Sequence, residues 1–205
     1  MQAQLRRPVL SLALALLTGS VLGAAEYSLG VQLSAGAPLS DLKDLVGNTG
    51  GADVKIFEWV NLGQGHVLRP QFDVLAFAGR PQSISTPVGT VTFQGQSKIT
   101  VSMESVGADY IYFINGDANQ PSPYVGGGVA LSRNRIEADG PGAFGDAQET
   151  KAAFSLVVGY QFDRHWNVEV GFRTTKWGNR ATALGQPVGL SYTLPTILVG
   201  GGFRF

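Results

Sequence analysis

Residues 166–177 read WNVEVGFRTTKW, and the order of their polarities decides the architecture. Trp166, Val168, Val170 and Phe172 alternate with Asn167, Glu169, Gly171 and Arg173. A period of two belongs to a strand with two unlike faces, one apolar and one polar. The same alternation recurs along the chain. Glu26–Ala37 sets Tyr27, Leu29, Val31, Leu33 and Ala35 against Ser28, Gly30, Gln32 and Ser34. His66–Gly79, Ser97–Ile114, Pro123–Arg133, Lys151–Phe162 and Ser191–Phe205 supply five further segments. Segment Gly51–Leu62 is less regular, because Val54 and Ile56 fall on one parity and Phe57 and Trp59 on the other. A bulge or offset is expected there. Eight strands result.

The connections alternate in length. Asn61–Gly65, Asn115–Ser122 and Asp163–His165 are short, whereas Pro38–Gly50, Arg80–Gln96, Asn134–Thr150 and Gly178–Leu190 are long. A helical turn fits Leu39–Val46 in the first long loop. Such alternation describes an antiparallel up-and-down meander with two unlike ends, the layout of a transmembrane β-barrel with short periplasmic turns and longer extracellular loops.

Composition agrees. The 205 residues include 28 Gly, 44% hydrophobic and only 15% charged residues, with no Cys and no formal net charge. Gly is at roughly twice its usual share of about 7%. The balanced charge argues against nucleic acid as a partner, and the lack of Cys excludes disulfides and thiolate chemistry. Residues 1–25 read as a signal peptide, with Arg6 and Arg7 before the apolar run Val9–Leu17 and small residues up to Ala25. Export would leave a single domain, 26–205, in the outer membrane of a Gram-negative-type cell envelope.

Aromatic residues point to the lipid-facing side. Tyr27, Trp59, Tyr110, Tyr112, Tyr124, Tyr160 and Trp166 gather near the short turns, with Phe57, Phe162, Phe203 and Phe205 at the same level. A ring of this kind is expected at a headgroup boundary. The opposite parity carries Arg69, Asp73, Asp109, Glu169 and Arg173. A charge facing lipid costs roughly 2–4 kcal/mol at the midplane, so these five are expected to line the lumen as a charge network. Arg69 with Asp73, and Glu169 with Arg173, stand four apart and are expected to pair along their strands.

The segments GHVLRPQFDVLAF (65–77), SVGADYIYFING (105–116) and the ending ILVGGGFRF (197–205) resemble small eight-stranded outer-membrane barrels of the OmpA/OmpX type. The resemblance implies an OmpA-like barrel without the peptidoglycan-binding domain, since the sequence ends with the eighth strand. It also implies that Ile197, Val199, Phe203 and Phe205 form the signal read by the barrel-assembly machinery.

Chemistry is weakly indicated. His66 and His165 lie at short turns, and His165-Trp166-Asn167 lacks the His-x-Ser arrangement of lipid A deacylases. Asp41, Asp44, Glu137, Asp139 and Asp146 match no cation-loop spacing and read as solvated loop charges. Gly126–Gly128 and Gly200–Gly202 are not followed by the Lys-Ser/Thr of a phosphate loop. No catalytic, cofactor or metal residue is assigned. The expectation is a monomeric, non-enzymatic barrel with a structural or surface-interaction role, its lumen closed by side chains. Its partners are membrane lipids, the assembly machinery and a surface ligand of unknown chemistry. A narrow channel or small-solute transporter, a lipid-modifying enzyme and a soluble lipocalin-like barrel are the alternatives.

Overall fold

The computed structural model describes residues 26–88, 91–139, 147–183 and 186–205. The signal-peptide reading of residues 1–25, and Asp146, lie outside them. The elements are β1 (Glu26–Pro38), α1 (Ser40–Val46), β2 (Gly51–Gly63), β3 (His66–Val88), β4 (Val91–Phe113), β5 (Ser122–Asp139), β6 (Ala147–Gln161), β7 (Trp166–Ala183), β8 (Gln186–Thr193) and β9 (Thr196–Arg204). Neighbours in sequence pair antiparallel from β1 to β7. β9 then pairs with both β7 and β1, closing the sheet. β8 and β9 are two pieces of one barrel strand, interrupted at Leu194–Pro195, where proline has no N–H to give the ladder. The barrel therefore has eight staves, and closure leaves its wall without an edge.

Alternation places the apolar parity outside. Leu33, Val129, Leu131, Leu156, Val158, Val170 and Val199 are exposed on the outer wall. A continuous apolar band of this kind cannot face water without aggregating. A soluble barrel would turn this parity inward, so the lipocalin-like alternative falls. Among the described residues no helix is long and apolar enough to cross a membrane. The strands do the crossing.

Two expectations change in detail. β2 has no bulge against β1, because their register runs unbroken from Glu26↔Asn61 to Gly36↔Gly51. The mixed pattern arises because Phe57 and Trp59 are lumen side chains of the same parity as Asp53 and Lys55. The shift in β2–β3 falls only at the turn, between Asn61 and Gly63. The long connections are mainly strand. β3 and β4 continue as a hairpin to Val88 and Val91 through the expected loop Arg80–Gln96, with a register shift between Ala78 and Pro81. β5 with β6 and β7 with β8 likewise extend into the segments expected as the third and fourth loops.

The expected helical turn is α1. It ends at Gly47, whose φ of 70° is the left-handed cap conformation, with its N–H donated to Lys43 O at 3.0 Å. α1 lies across the long-hairpin mouth. Its Leu42 and Val46 are fully buried among Leu75, Phe77, Val101, Met103, Trp177, Leu194 and Leu198. The Asp41 carboxylate accepts from Thr193 N–H at 2.8 Å, which ties the helix to β8.

Candidate functional site: the filled lumen

The lumen is built in three layers. The upper layer is the apolar cluster under α1. The lower layer gathers Phe57, Trp59, Val67, Ile111, Phe113, Ala118, Tyr124 and Val157 at the short-turn mouth. Trp59 meets Phe113 edge-on at 5.7 Å and Tyr124 at 6.4 Å between centroids. Room for these rings comes from glycine in the wall. A Cβ at Gly30 would run into the Phe57 ring, and one at Gly159 into the Tyr124 ring. The β4–β5 turn folds under this layer, where Gln161 Nε2 donates to Ala118 O at 2.7 Å and an Arg204 guanidinium N–H donates to the same oxygen at 3.1 Å.

Between the apolar layers lies the charge network. Arg69 is fully buried and donates to Glu169 Oε2 and to Asp109 Oδ2, each at 2.6 Å. Glu169 also accepts from Tyr124 O–H at 3.2 Å and from Gln32 Nε2 at 3.3 Å, and stands 3.6 Å from Lys55 Nζ. Asp109 Oδ1 accepts from Ser155 O–H at 2.7 Å. One level away, Arg173 pairs with Asp73 and donates to Ser105.

The five charged residues singled out by parity thus share the interior, but not in the expected pairs. Residues four apart on a strand are roughly 13 Å apart at about 3.3 Å per residue, beyond direct contact for side chains that stand parallel. The partners come from other strands instead: Arg69 of β3 pairs with Asp109, directly opposite it on the neighbouring β4, and across the lumen with Glu169 of β7, while Asp73 of β3 pairs across the lumen with Arg173 of β7. Asp53, Lys55, Gln32 and Ser155 complete the layer and were not singled out from sequence. Lys55 and Asp53 alternate with Val54 and Ile56, and that was the signal available.

The girdle needs correction at two of its seven members. Tyr27, Tyr110, Tyr112, Tyr160 and Trp166 are exposed on the outer wall near the short turns. Trp59 and Tyr124 are not in the girdle. They are 2% and 0% exposed, inside the lower layer with Phe57. Both lie at the level of the girdle along their strands, but parity decides the face, and Trp59 has the parity of Lys55. At the other end of the chain, Ile197, Val199 and Phe205 point outward, and Phe203 packs on Trp166 at 4.7 Å between centroids. Phe205 N–H donates to Leu29 O at 2.8 Å across the closing seam.

A cavity of about 20 Å³ is lined by Lys55, Gln71, Asp73, Asp109, Glu169 and Arg173 among others. That volume is room for about one water. The histidines sit outside this layer. His66 meets the Tyr110 hydroxyl on the outer wall, and His165 Nδ1 contacts Arg204 O at 2.8 Å. In the same turn as His165, Asp163 accepts N–H bonds from Trp166 and His165, which hold its carboxyl below the ordinary range. Among the described residues, no three His, Cys, Asp or Glu side chains are grouped to hold a metal.

No protein-family model matches the sequence, and no curated protein matches it. Solved structures do resemble the fold. Neisserial surface protein A superposes with a TM-score of 0.53 at 16% identity, over 88% of this chain and 97% of that one. Ail of Yersinia pestis gives 0.48 at 12% identity, over 88% and 99%. The N-terminal β-barrel domain of Pseudomonas aeruginosa OprF gives 0.46 at 14% identity, over 89% and 100%. The chain has the fold of the small eight-stranded outer-membrane β-barrels.

Proposed function

We propose that the protein is a non-enzymatic outer-membrane barrel that anchors its long hairpins at the cell surface and conducts no solute. The observation that carries this reading is the filled lumen. An eight-stranded barrel is just wide enough for side chains to fill, and here two apolar layers enclose a layer of paired charges. Arg69, fully buried, is neutralised by two carboxylates, which is how a charge survives away from water. His66 and His165 lie at the short turns, where they contact Tyr110 and the Arg204 carbonyl, and this supports the non-enzymatic reading. Residues 1–25 are proposed to direct export, Phe205 and the outward residues before it to guide assembly, and the barrel to sit in the membrane as a monomer.

Purified protein in planar bilayers tests the proposal. It should show no steady conductance. A stable ohmic current from the unmodified protein would replace this reading with that of a narrow channel or small-solute transporter.

A further inference from the structure

Glu58 of β2 is a carboxylate on the lipid side of the wall. It shares the parity of Val54, Ile56 and Leu62, which are exposed there, and is half-buried among its neighbours. Leu29 stands directly opposite it on β1. On β3, Pro70 lies between Leu68, opposite Val60, and Gln71, opposite Phe57, and so borders Glu58 from the other side. The bordering side chains Leu29, Ile56, Val60 and Pro70 have nothing to donate to a carboxylate. Among the described residues, the Glu58 carboxylate has neither a hydrogen bond nor an ion pair.

Its depth follows from the register. The row Tyr27–Val60–Leu68–Tyr110 crosses the wall one outward position nearer the short turns and carries two girdle tyrosines. One outward position is two residues, roughly 7 Å of strand, which a tilt of about 35–45° turns into about 5 Å of depth. Glu58 lies just inside the headgroup boundary.

An ionisable side chain facing the membrane takes a partner of opposite charge. Among the described residues, the chain supplies none at this level. Arg133, Arg135 and Lys176 of the outer wall stand at the long-hairpin end, and a second copy inserted the same way up would present them across the bilayer. Arg164 lies in the β6–β7 turn, beyond the girdle, where its Nε–H donates to His165, and His66 is engaged with the Tyr110 hydroxyl. The other described lysines and arginines lie inside the lumen or toward the long hairpins. The missing cation is therefore one that the membrane itself provides.

We propose that Glu58 marks a binding site for the primary ammonium of an aminophospholipid headgroup in the leaflet at the short-turn end. The inference rests on the reading that the outer wall faces lipid. A primary ammonium brings both the opposite charge and three N–H donors, and a charge-assisted hydrogen bond is the stronger kind. A choline headgroup has the same charge but methyl groups in place of those donors. Tyr27, diagonal to Glu58 on β1 and exposed on the same wall, adds an aromatic ring that attracts a cation. Toward the bilayer centre the wall offers Val31, Leu33, Val54 and Ile56, all exposed, to the acyl chains.

The test uses detergent micelles holding equal amounts of phosphatidylethanolamine and phosphatidylcholine, with native mass spectrometry of the folded barrel to read which lipid stays bound. The unmodified protein should retain phosphatidylethanolamine in severalfold excess. Glu58→Gln should retain the two equally. Glu58→Lys should favour phosphatidylglycerol over phosphatidylethanolamine when those two are mixed. Glu104→Gln, at the other end of the wall, should keep the parent's preference. Heat-modifiable gel mobility shows that each variant is folded. The proposal is overturned if the parent has no preference, if Glu58→Gln keeps it, or if Glu58→Lys still favours phosphatidylethanolamine. Equal loss in Glu104→Gln also overturns it, because selection would then belong to the charge of the whole wall. None of these outcomes bears on conductance, so the closed-barrel reading stands or falls separately.

Discussion

Replacing Glu169 by Gln keeps the shape of the side chain and removes its charge, in a lumen where that charge has several dependents. Glu169 accepts from both terminal nitrogens of Arg69, from Gln32 and from Tyr124, and is the one ion-pair partner of Lys55 among the described residues. In the variant Arg69 keeps Asp109, and Lys55 is left with no carboxylate in contact. Breaking a buried ion pair from one side costs about 3–5 kcal/mol. The amide oxygen can still accept from Tyr124, which recovers about 1 kcal/mol. A net loss of about 2–4 kcal/mol follows.

The control is Glu104→Gln on the outer wall, where Glu104 and Arg133 stand 3.6 Å apart and both are partly exposed. That change should cost under about 1 kcal/mol. Urea unfolding in lipid vesicles, read by gel mobility and tryptophan fluorescence, gives both values if the slope with urea stays constant. A loss below about 1 kcal/mol for Glu169→Gln, or equal losses for the two variants, would refute the paired-charge account of the lumen.

In variants that keep a single tryptophan, lipids brominated on the acyl chain should quench Trp166 strongly and Trp59 hardly at all; equal quenching would return Trp59 to the girdle. Gly159→Ala should lower unfolding stability by about 1–3 kcal/mol, because the new methyl overpacks against Tyr124. Gly201→Ala, whose Cβ would stand 3.6 Å from its nearest neighbour, Asn167 O, should be close to neutral in the same assay. Deleting Phe205 removes its N–H bond to Leu29 O and its outward ring. Heat-modifiable protein in the outer membrane should fall severalfold, and an unchanged yield would remove Phe205 from the assembly signal.

Period-two alternation is a local property, and it made the staves and their faces readable. Val168, Glu169 and Val170 show which side is wet without any knowledge of neighbours. The partners across the bore are not legible in the sequence, because they depend on how rows climb around the barrel, whereas Arg69 and Asp109 meet as direct neighbours on β3 and β4. Arg69 meets Glu169 across the bore, a hundred residues away in sequence, and nothing in either segment encodes that meeting. Rings misled for a related reason. A tyrosine or tryptophan near a turn suits a headgroup boundary and the end of a lumen equally, and only the parity of Trp59 with Lys55 separates the two. Gly, Pro, Ser and Gln are frequent in the long connections, and their local preference is for loops. Cross-strand pairing from Pro81↔Lys98 upward overrides that local preference.

The claim on which everything else depends is that alternate residues of one strand face lipid and a closed interior. Native cysteine is absent, so single cysteines at Val170 and Glu169, labelled with a small fluorophore in vesicles, report the two faces from adjacent positions. Val170 is 52% exposed on the outer wall and Glu169 4% exposed inside. A lipid-soluble quencher should therefore suppress the label at Val170 and spare the one at Glu169. Equal quenching at both, or the reverse order, would contradict the register and with it the barrel described above.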